Sequence, residues 1–156
     1  LDAVDAVLVN GGGPAEVLPE RASVGWRVDF APEGLVDTFD GRELPLAGLS
    51  GQAVLAVAGI GNPERFFAML EAHGARVARR ALDDHAAPSL TQARAWMADG
   101  RPVVMTQKDA VKWPEPPTRP GQVLVVQGGI RLPDALIQAT LGRLAEGRAR
   151  HDDSTR

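Results

Sequence analysis

The stretch from residue 53 to residue 85 constrains the fold most, because it carries the pattern of a strand and the helix that follows it. Its first part, 53–58, is a short and continuously apolar run, which is typical of a strand buried on both faces. Glycines at 59 and 61 allow the backbone to turn sharply without a steric penalty. An Asn-Pro pair at 62–63 matches the N-cap and the first position of a helix, where the missing N–H of proline costs nothing. We therefore predict a buried strand, a glycine turn and a well-capped helix.

This helix is predicted to bury one face and to lead into a second strand. Gly74 is a typical residue just beyond a helix end. Arg76 then begins an extended run that finishes in a polar, charged segment at 83–85. Apolar spacings of three and four predict the inward face of the helix, which comprises Phe66, Phe67, Leu70 and a partly buried core histidine, His73.

The rest of the chain alternates apolar runs with helical patterns. Strands separated by helices of this length pair in parallel through right-handed crossovers, so we predict an α/β fold with a mainly parallel sheet, flanking helices and three layers. The remaining predicted strands are 3–10, 102–106 and 122–127. One further helix is predicted to start at a cap by Ser89 or Thr91 and to run through Met97, with Ala93, Trp96 and Met97 inward. Another spans 133–145, with Leu136, Ile137, Thr140 and Leu144 inward. Residues 107–113 are predicted as a loop or short turn, and 114–120 as a proline-rich connector.

One α/β domain is predicted over residues 1–146. Within it, residues 15–50 are interpreted as an irregular, antiparallel excursion with loops. Residues 23–30 can form a short strand there, and Trp26 and Phe30 are assigned to the core. The polar segment 147–156 is predicted to be a disordered tail.

Composition excludes several functional classes. The 156 residues carry a net charge of −3 with acidic and basic residues mixed, whereas a nucleic-acid-binding domain would be strongly basic. The absence of cysteine excludes a disulfide framework and a thiolate metal site, and it fits a reducing compartment. No apolar run reaches the about 18 residues of a membrane-spanning helix. The histidines and their neighbouring carboxylates lack metal-ligand spacing, so neither a metal site nor a nucleic-acid partner is predicted.

In a parallel sheet, ligands gather beyond the carboxyl ends of the strands. That edge is predicted to carry four segments, which are Asn10, 59–62, 83–85 and 106–109. The glycine cluster at 11–14 suggests a phosphate loop. However, the Gly-Lys-Ser/Thr ending of a P-loop is absent from the whole chain, as is a G-x-G-x-x-G fingerprint. We interpret the cluster as a turn.

The start of the helix after residue 62 is a candidate anion site. Its free N–H groups and positive dipole end suit a negatively charged ligand. Glu64 partly cancels that attraction and Arg65 restores it, so the candidate residues are Gly59, Gly61, Asn62 and Arg65. The alternative is a well-capped helix with a purely architectural role.

Two further segments carry candidate chemistry. His85 titrates near neutrality, and the neighbouring Asp84 carboxylate can fix its tautomer or raise its pKa; the alternative is a structural or capping histidine. After the strand 102–106, Thr106 is followed by a Lys108–Asp109 pair. That pair can hydrogen-bond a nucleotide base, or it can brace a loop through an ion pair.

The motifs also resemble those of a known family. AGIGNPERFF at 58–67, DH at 84–85 and MTQKDAVKW at 105–113 resemble the tetraacyldisaccharide 4′-kinases, the lipid A 4′-kinases. The resemblance runs from about Val4 to Ala145 in the same order of motifs, and it matches only the C-terminal half of the family's chain. It implies a P-loop-kinase-like C-terminal half without the P-loop.

The resemblance implies a transferase in lipid A biosynthesis. Members of the family move the γ-phosphoryl group of ATP, with Mg²⁺, to the 4′-hydroxyl of a tetraacylated glucosamine disaccharide phosphate. The phosphate cradle is then expected from the missing N-terminal half, so this chain alone is expected to be inactive. The amphipathic lipid substrate implies a cytoplasmic protein that works at the face of the inner membrane.

The resemblance also implies residue roles. His85 would assist an acidic general base from the missing half, and Asp84 would orient it. The chain departs from the family where Ala86 and Ala87 replace a second histidine and an aromatic residue, and where Gln107 replaces a glutamate. The departure after His85 and the missing P-loop leave open a second interpretation, in which the chain is a stand-alone, non-catalytic α/β binding module.

Overall fold

The computed structural model describes residues 7–10, 25–83, 86–114 and 121–153, with the backbone alone for residues 10, 27 and 146–153. The described parts of Leu1–Ala31 and Gly129–Arg156 form a smaller compact unit, and Pro32–Gly128 forms a larger one. Several predictions fall outside the described residues: the glycine turn at 11–14, the pair Asp84–His85, and most of the connector at 114–120.

The described elements alternate between strands and helices, as the sequence predicts. In chain order, the strands are β1 (Val7–Asn10), β2 (Gly25–Asp37), β3 (Glu43–Leu44), β4 (Ala53–Ala58), β5 (Arg76–Ala81), β6 (Val103–Thr106) and β7 (Val123–Arg131). The helices are α1 (Pro63–Ala72), α2 (Leu90–Ala98), α3 (Gln107–Ala110) and α4 (Asp134–Asp153), with a 3-10 turn at Leu46–Leu49 before β4. No helix within these described ranges is both long and apolar enough to cross a membrane.

The sheet of the larger unit has the strand order β2-β7-β6-β4-β5, with β3 beside β2. β4 pairs in parallel with both β5 and β6, and β6 pairs in parallel with β7. In this register Ala56 of β4 lies opposite Arg79 of β5 and Val104 of β6. The predicted mainly parallel sheet with flanking helices is confirmed.

The two faces of this sheet carry two separate cores, because successive side chains of a strand point to opposite faces. Both cores draw on β4, β6 and β7, and each takes its own helix. One face gathers Val54, Ala56, Ala58, Val104, Leu124 and Val126 with Phe66, Phe67 and Leu70 of α1. The other gathers Leu55, Val57, Val103, Met105, Val123 and Val125 with Ala93 and Met97 of α2. A helix on each face gives the predicted three layers.

Local sequence signals set the ends of α1 and α2. Asn62 Oδ1 accepts a hydrogen bond from the backbone N–H of Arg65 at 3.2 Å, which caps α1. Past the end of α1, Gly74 adopts a φ of 85°, a conformation that favours glycine. At the start of α2, Ser89 and Gln92 form a capping box through two reciprocal side-chain bonds. The helix boundaries were predicted correctly because these signals lie within a few residues of each end.

In the smaller unit, β1 pairs in parallel with Gly25–Val28 of β2. Helix α4 continues to Asp153, so the prediction that it ends near Ala145 and gives way to a tail is wrong for the described residues. The physical reason is that residues 146–153 contain one glycine and no proline, and a single glycine costs a helix only about 1 kcal/mol. The predicted inward face is also wrong in part, since Ile137 is 39% and Leu144 is 63% exposed while Leu136 is buried.

The predicted excursion at 15–50 is corrected over its described part. Residues 25–37 form a single strand of 13 residues. Its end pairs antiparallel with β3, where Leu35 lies opposite Leu44 and Val36 opposite Glu43. The strand was underestimated because it also pairs with distant β7, which no local pattern reveals. Phe30 is 39% exposed, so its predicted place in the core is also wrong.

Candidate functional site

The chain leaves the carboxyl ends of β4 and β6 in opposite directions. β4 leads into α1, whose apolar side chains pack on one face of the sheet. β6 leads into α3, after which Ala110 and Trp113 pack against the core on the other face. In α/β sheets, ligands bind in the crevice where neighbouring strands diverge in this way. The candidate functional site is therefore the rim between the β4–α1 loop and the β6–α3 turn, within the larger unit.

The β6–α3 turn is organised by Thr106 and Asp109. The hydroxyl of Thr106 accepts a hydrogen bond from the backbone N–H of Asp109 at 3.2 Å and so caps the one-turn helix α3. The same hydroxyl donates to Asp109 Oδ2 at 2.7 Å. Residues 107–110, predicted as a loop or short turn, are thus a helical turn. Lys108 and Gln107 are exposed on it, and Gln107 donates to Gln127 of β7.

Asp109 joins this turn to the β4–α1 loop. Its Oδ1 accepts a hydrogen bond from the backbone N–H of Gly59 at 3.1 Å, in a buried contact between residues 50 positions apart in the chain. The carboxylate is only 5% exposed. Both of its oxygens therefore accept hydrogen bonds from protein donors, and the bond to Gly59 spans the crevice.

The β5–α2 connection lies against the same glycine. A β-carbon on Gly59 would lie 3.2 Å from the carbonyl oxygen of Ala86 and 3.4 Å from that of Asp83. Asp83 and Ala86 are themselves joined by an N–H to carbonyl bond of 2.8 Å. The catalytic candidates Asp84 and His85 lie between these two residues and outside the described part of the chain, so their roles stay predictions.

The start of α1 lies at the same rim, with its charges partly compensated. Glu64 in the first turn pairs with Arg79 at 2.6 Å, and Arg79 also pairs with Glu71 at 2.7 Å. The pKa of Arg79 is raised, mainly by the hydrogen bond to Glu71 and further by the charges of both glutamates; desolvation opposes this rise. Arg65 is exposed on the same turn. Because Glu64 is neutralised by Arg79, it opposes an anion less than the sequence alone suggests.

The buried carboxylates among the described residues are engaged by protein donors. The two buried carboxylates among them are Asp37 and Asp109. Asp37 accepts from the N–H of Phe39 and from Gln122, and Asp109 from Gly59 and Thr106, so all four oxygens are engaged by protein donors. Within the described ranges, no three histidines or carboxylates lie close enough together to hold a metal ion.

The structure links three of the predicted site residues directly. Gly59, Thr106 and Asp109 are linked by hydrogen bonds. Gly61 and Asn62 are exposed in the same loop. Sequence reasoning missed that Asp109 is bound to Gly59, because no local pattern marks a buried glycine N–H. It also missed Lys112, whose Nζ is buried and has no hydrogen-bond partner among the described residues.

Comparisons with known proteins match the chain to one family. The family model described as LpxK, tetraacyldisaccharide-1-P 4′-kinase, matches residues 1–145. The tetraacyldisaccharide 4′-kinase of Xanthomonas campestris pv. campestris is 40% identical over 153 residues, which are 96% of this chain and 41% of that relative. The enzyme of that name from Pseudomonas fluorescens is 46% identical over 113 residues, covering 72% of this chain and 31% of the relative.

A solved structure of LpxK from Aquifex aeolicus, an apo form in complex with ATP, is also similar, with 21% identity and a TM-score of 0.43 over 85% of this chain and 40% of that one. The chain thus spans 41% of the length of the Xanthomonas relative.

Proposed function

This chain belongs to the tetraacyldisaccharide 4′-kinase family, and from this premise we propose that it forms part of the active site of an ATP-dependent lipid A kinase. The substrate is a tetraacyl glucosamine disaccharide 1-phosphate. In the reaction, the 4′-oxygen of the sugar forms a bond to the γ-phosphorus of ATP. The bond from that phosphorus to the bridging oxygen breaks, ADP leaves, and the proton of the 4′-hydroxyl passes to a general base. The observation that carries the proposal is the family match over residues 1–145.

In this proposal the chain supplies only one side of the site. Phosphoryl transfer depends on a phosphate cradle, a metal and a positioned base. The 156 residues contain no Gly-Lys-Ser/Thr ending, and both buried carboxylates are engaged by protein donors. We therefore assign the ATP phosphates and Mg²⁺ to the part of the family's chain that these residues do not match.

The rim residues act on charge and protons. His85 assists a carboxylate base from the unmatched part of the family's chain, and Asp84 orients its ring; these roles come from the resemblance. The N-terminal turn of α1, with the exposed Gly61 and Asn62, faces the anionic groups, since free N–H groups at a helix start favour negative charge. Gly59 supports this loop through its N–H, which donates to Asp109. Arg65 and Lys108 complete the nucleotide edge in this proposal, with Thr106 and Asp109 in the turn that carries Lys108.

The same resemblance carries the proposed location. The substrate combines a charged sugar phosphate with acyl chains, so the enzyme works where that lipid is presented. We propose the cytoplasmic face of the inner membrane.

A grafted enzyme tests the proposal. In it, this chain replaces the matched region of the Xanthomonas campestris kinase, and the rest of that kinase is unchanged. We expect ATP-dependent transfer of a labelled γ-phosphate to tetraacyl disaccharide 1-phosphate, with the unmodified Xanthomonas campestris enzyme as the positive control. Transfer should be lost when the rest of the kinase is expressed without this chain. A grafted enzyme that folds, as judged by circular dichroism and gel filtration, but transfers no phosphate would refute the proposal.

A second candidate function is a non-catalytic binding module. It is favoured by Ala86 and Ala87, which stand where the family has a second histidine and an aromatic residue, and by the lack of a P-loop in the 156 residues. For this candidate, the grafted enzyme folds and binds ATP but does not turn over. Ala86→His in the grafted enzyme distinguishes the two explanations. Phosphate transfer returns if the chain has lost a catalytic histidine, and it stays absent if the chain is a binding module.

A further inference from the structure

We propose that Asp109 is a positioning residue, whose carboxylate sets the β4–α1 loop against the β6–α3 turn. Its catalytic consequence rests on the proposed function, but the geometry does not. The sequence suggests two roles for Asp109: it hydrogen-bonds a nucleotide base, or it forms an ion pair with Lys108 that braces the loop. The hydrogen bonds in the structure indicate a third role, in which Asp109 acts through Gly59 and Thr106.

The surroundings of the carboxylate argue against direct contact with substrate. Oδ1 accepts from Gly59 N–H at 3.1 Å and Oδ2 from the Thr106 hydroxyl at 2.7 Å. With both oxygens engaged and 5% of the residue exposed, little carboxylate surface is left for a ligand. A carboxylate suits this place because it has acceptors only, so it can take both donors at once.

Gly59 lies where three connections of the sheet meet, so its bond to Asp109 affects all three. Gly59 is the first residue after β4 and begins the loop that leads to Asn62 and α1. The carbonyl groups of Asp83 and Ala86 also lie against Gly59, in contact with the space where a side chain would be. Fixing the Gly59 backbone therefore fixes three connections relative to one another: the β4–α1 loop, the β5–α2 connection and the β6–α3 turn.

Asp37 offers a matched control within the same unit. It is the other buried carboxylate among the described residues, at 4% exposure, and likewise accepts one backbone N–H and one side-chain donor, Gln122. Gln122 immediately precedes β7, so this pair lies at the amino ends of the parallel strands. Thr106 ends β6 and lies at the carboxyl ends, opposite Val126. Removing either carboxylate thus disturbs comparable bonds at opposite edges of the sheet.

The first measurement uses the complete 156-residue chain and amide hydrogen exchange by NMR. Asp109→Ala removes the acceptor, so exchange of the Gly59 N–H should rise roughly fivefold or more. In Asp109→Asn, the side-chain oxygen can still accept this bond, and exchange should stay close to that of the native chain. Asp37→Ala should leave Gly59 unchanged. Unchanged Gly59 exchange in Asp109→Ala would overturn the proposal.

The second measurement uses the grafted enzyme and separates kcat from KM. A misplaced loop should lower kcat about tenfold to a hundredfold in Asp109→Ala, because small positional errors are costly to catalysis. The KM for ATP should hardly change, Asp109→Asn should recover most of kcat, and Asp37→Ala should keep kcat. A raised KM with native kcat would indicate direct nucleotide contact, and an equal loss of kcat in Asp37→Ala would indicate general destabilisation; either overturns the proposal.

Two safeguards keep the test decisive. If Asp109→Ala does not fold, Thr106→Val is used in its place, because it removes the hydroxyl that donates to Asp109. Thr106→Ser, which keeps the hydroxyl, is its control, and the same kcat and KM criteria apply. If the unmodified grafted enzyme folds but transfers no phosphate, the proposed function fails, and the exchange of Gly59 alone then decides whether Asp109 positions the loop.

Discussion

The carbonyl oxygen of Ala86 lies 3.2 Å from the position that a β-carbon on Gly59 would occupy. Asp109 Oδ1 lies at the same distance from that point, and the carbonyl oxygen of Asp83 lies at 3.4 Å. Three connections that follow three different strands therefore close around a residue without a side chain. The rim of the sheet is assembled by backbone proximity as much as by side-chain chemistry.

The first prediction concerns Gly59→Ala. The added methyl group would crowd two oxygen atoms, so we expect a loss of about 1–2 kcal/mol in the free energy of unfolding. Gly61→Ala is the matched control, since no atom lies within 4 Å of its β-carbon position. Both variants reduce the conformational entropy of the unfolded chain, an effect of about 0.4–1 kcal/mol that should be similar in the two. The difference between their unfolding free energies in urea therefore reports the crowding at Gly59. Equal stabilities would mean that the rim is looser than the structure shows.

The second prediction separates the two roles of Asn62. Asn62→Ala removes the cap of α1 and should cost about 1 kcal/mol of unfolding free energy. Asn62→Asp keeps an acceptor for the Arg65 N–H, and its negative charge suits a helix start, so stability should be retained. In the grafted enzyme, the same carboxylate would repel a phosphate and lower turnover. Native turnover in Asn62→Asp would identify Asn62 as a cap without a role in binding.

The third prediction concerns Lys112→Met. The Nζ of Lys112 is buried, and no described residue accepts a hydrogen bond from it. A buried polar group without a partner costs about 1–3 kcal/mol, so an apolar side chain of similar length should raise the free energy of unfolding of the isolated chain. Denaturant unfolding checks this, with Arg94→Met on the exposed side of α2 as the neutral control. A loss of stability in Lys112→Met would show that the ammonium group has an acceptor in solution.

The fourth prediction tests the catalytic assignment of His85 in the grafted enzyme. General acid–base catalysis contributes at least about a hundredfold, so His85→Ala should lower kcat by at least tenfold at an unchanged fold. Asp84→Asn, which keeps a hydrogen-bonding side chain, should cause a smaller loss. His73→Ala serves as the control, because His73 is the half-buried C-cap of α1. Unchanged turnover in His85→Ala would remove the residue from the mechanism.

The elements from β4 to β6 could be predicted from sequence, because their signals are local. The apolar run of β4, the Asn62–Pro63 start of α1, the Ser89 cap of α2 and the Gly74 stop all act within one helical turn or one strand. The order of these elements then implied a parallel sheet, and hence the rim on which the candidate residues lie.

Elements that depend on distant partners were predicted poorly. Strand β2 was expected to be short, yet it spans 13 residues and pairs with β7, which lies far along the chain. The face of α4 was expected to be buried, but Ile137 and Leu144 are exposed. Helical periodicity shows that a face is apolar, whereas its burial depends on what packs against it.

The sequence by itself determined the alternation of strands and helices, the caps of α1 and α2, and the family to which the motifs belong, since each is written in neighbouring residues. Only the tertiary structure decided that the Asp109 carboxylate accepts a hydrogen bond from the backbone N–H of Gly59. A hydrogen bond across 50 residues forms when two strands become neighbours in the sheet, and that adjacency is a property of the packed fold, not of either segment.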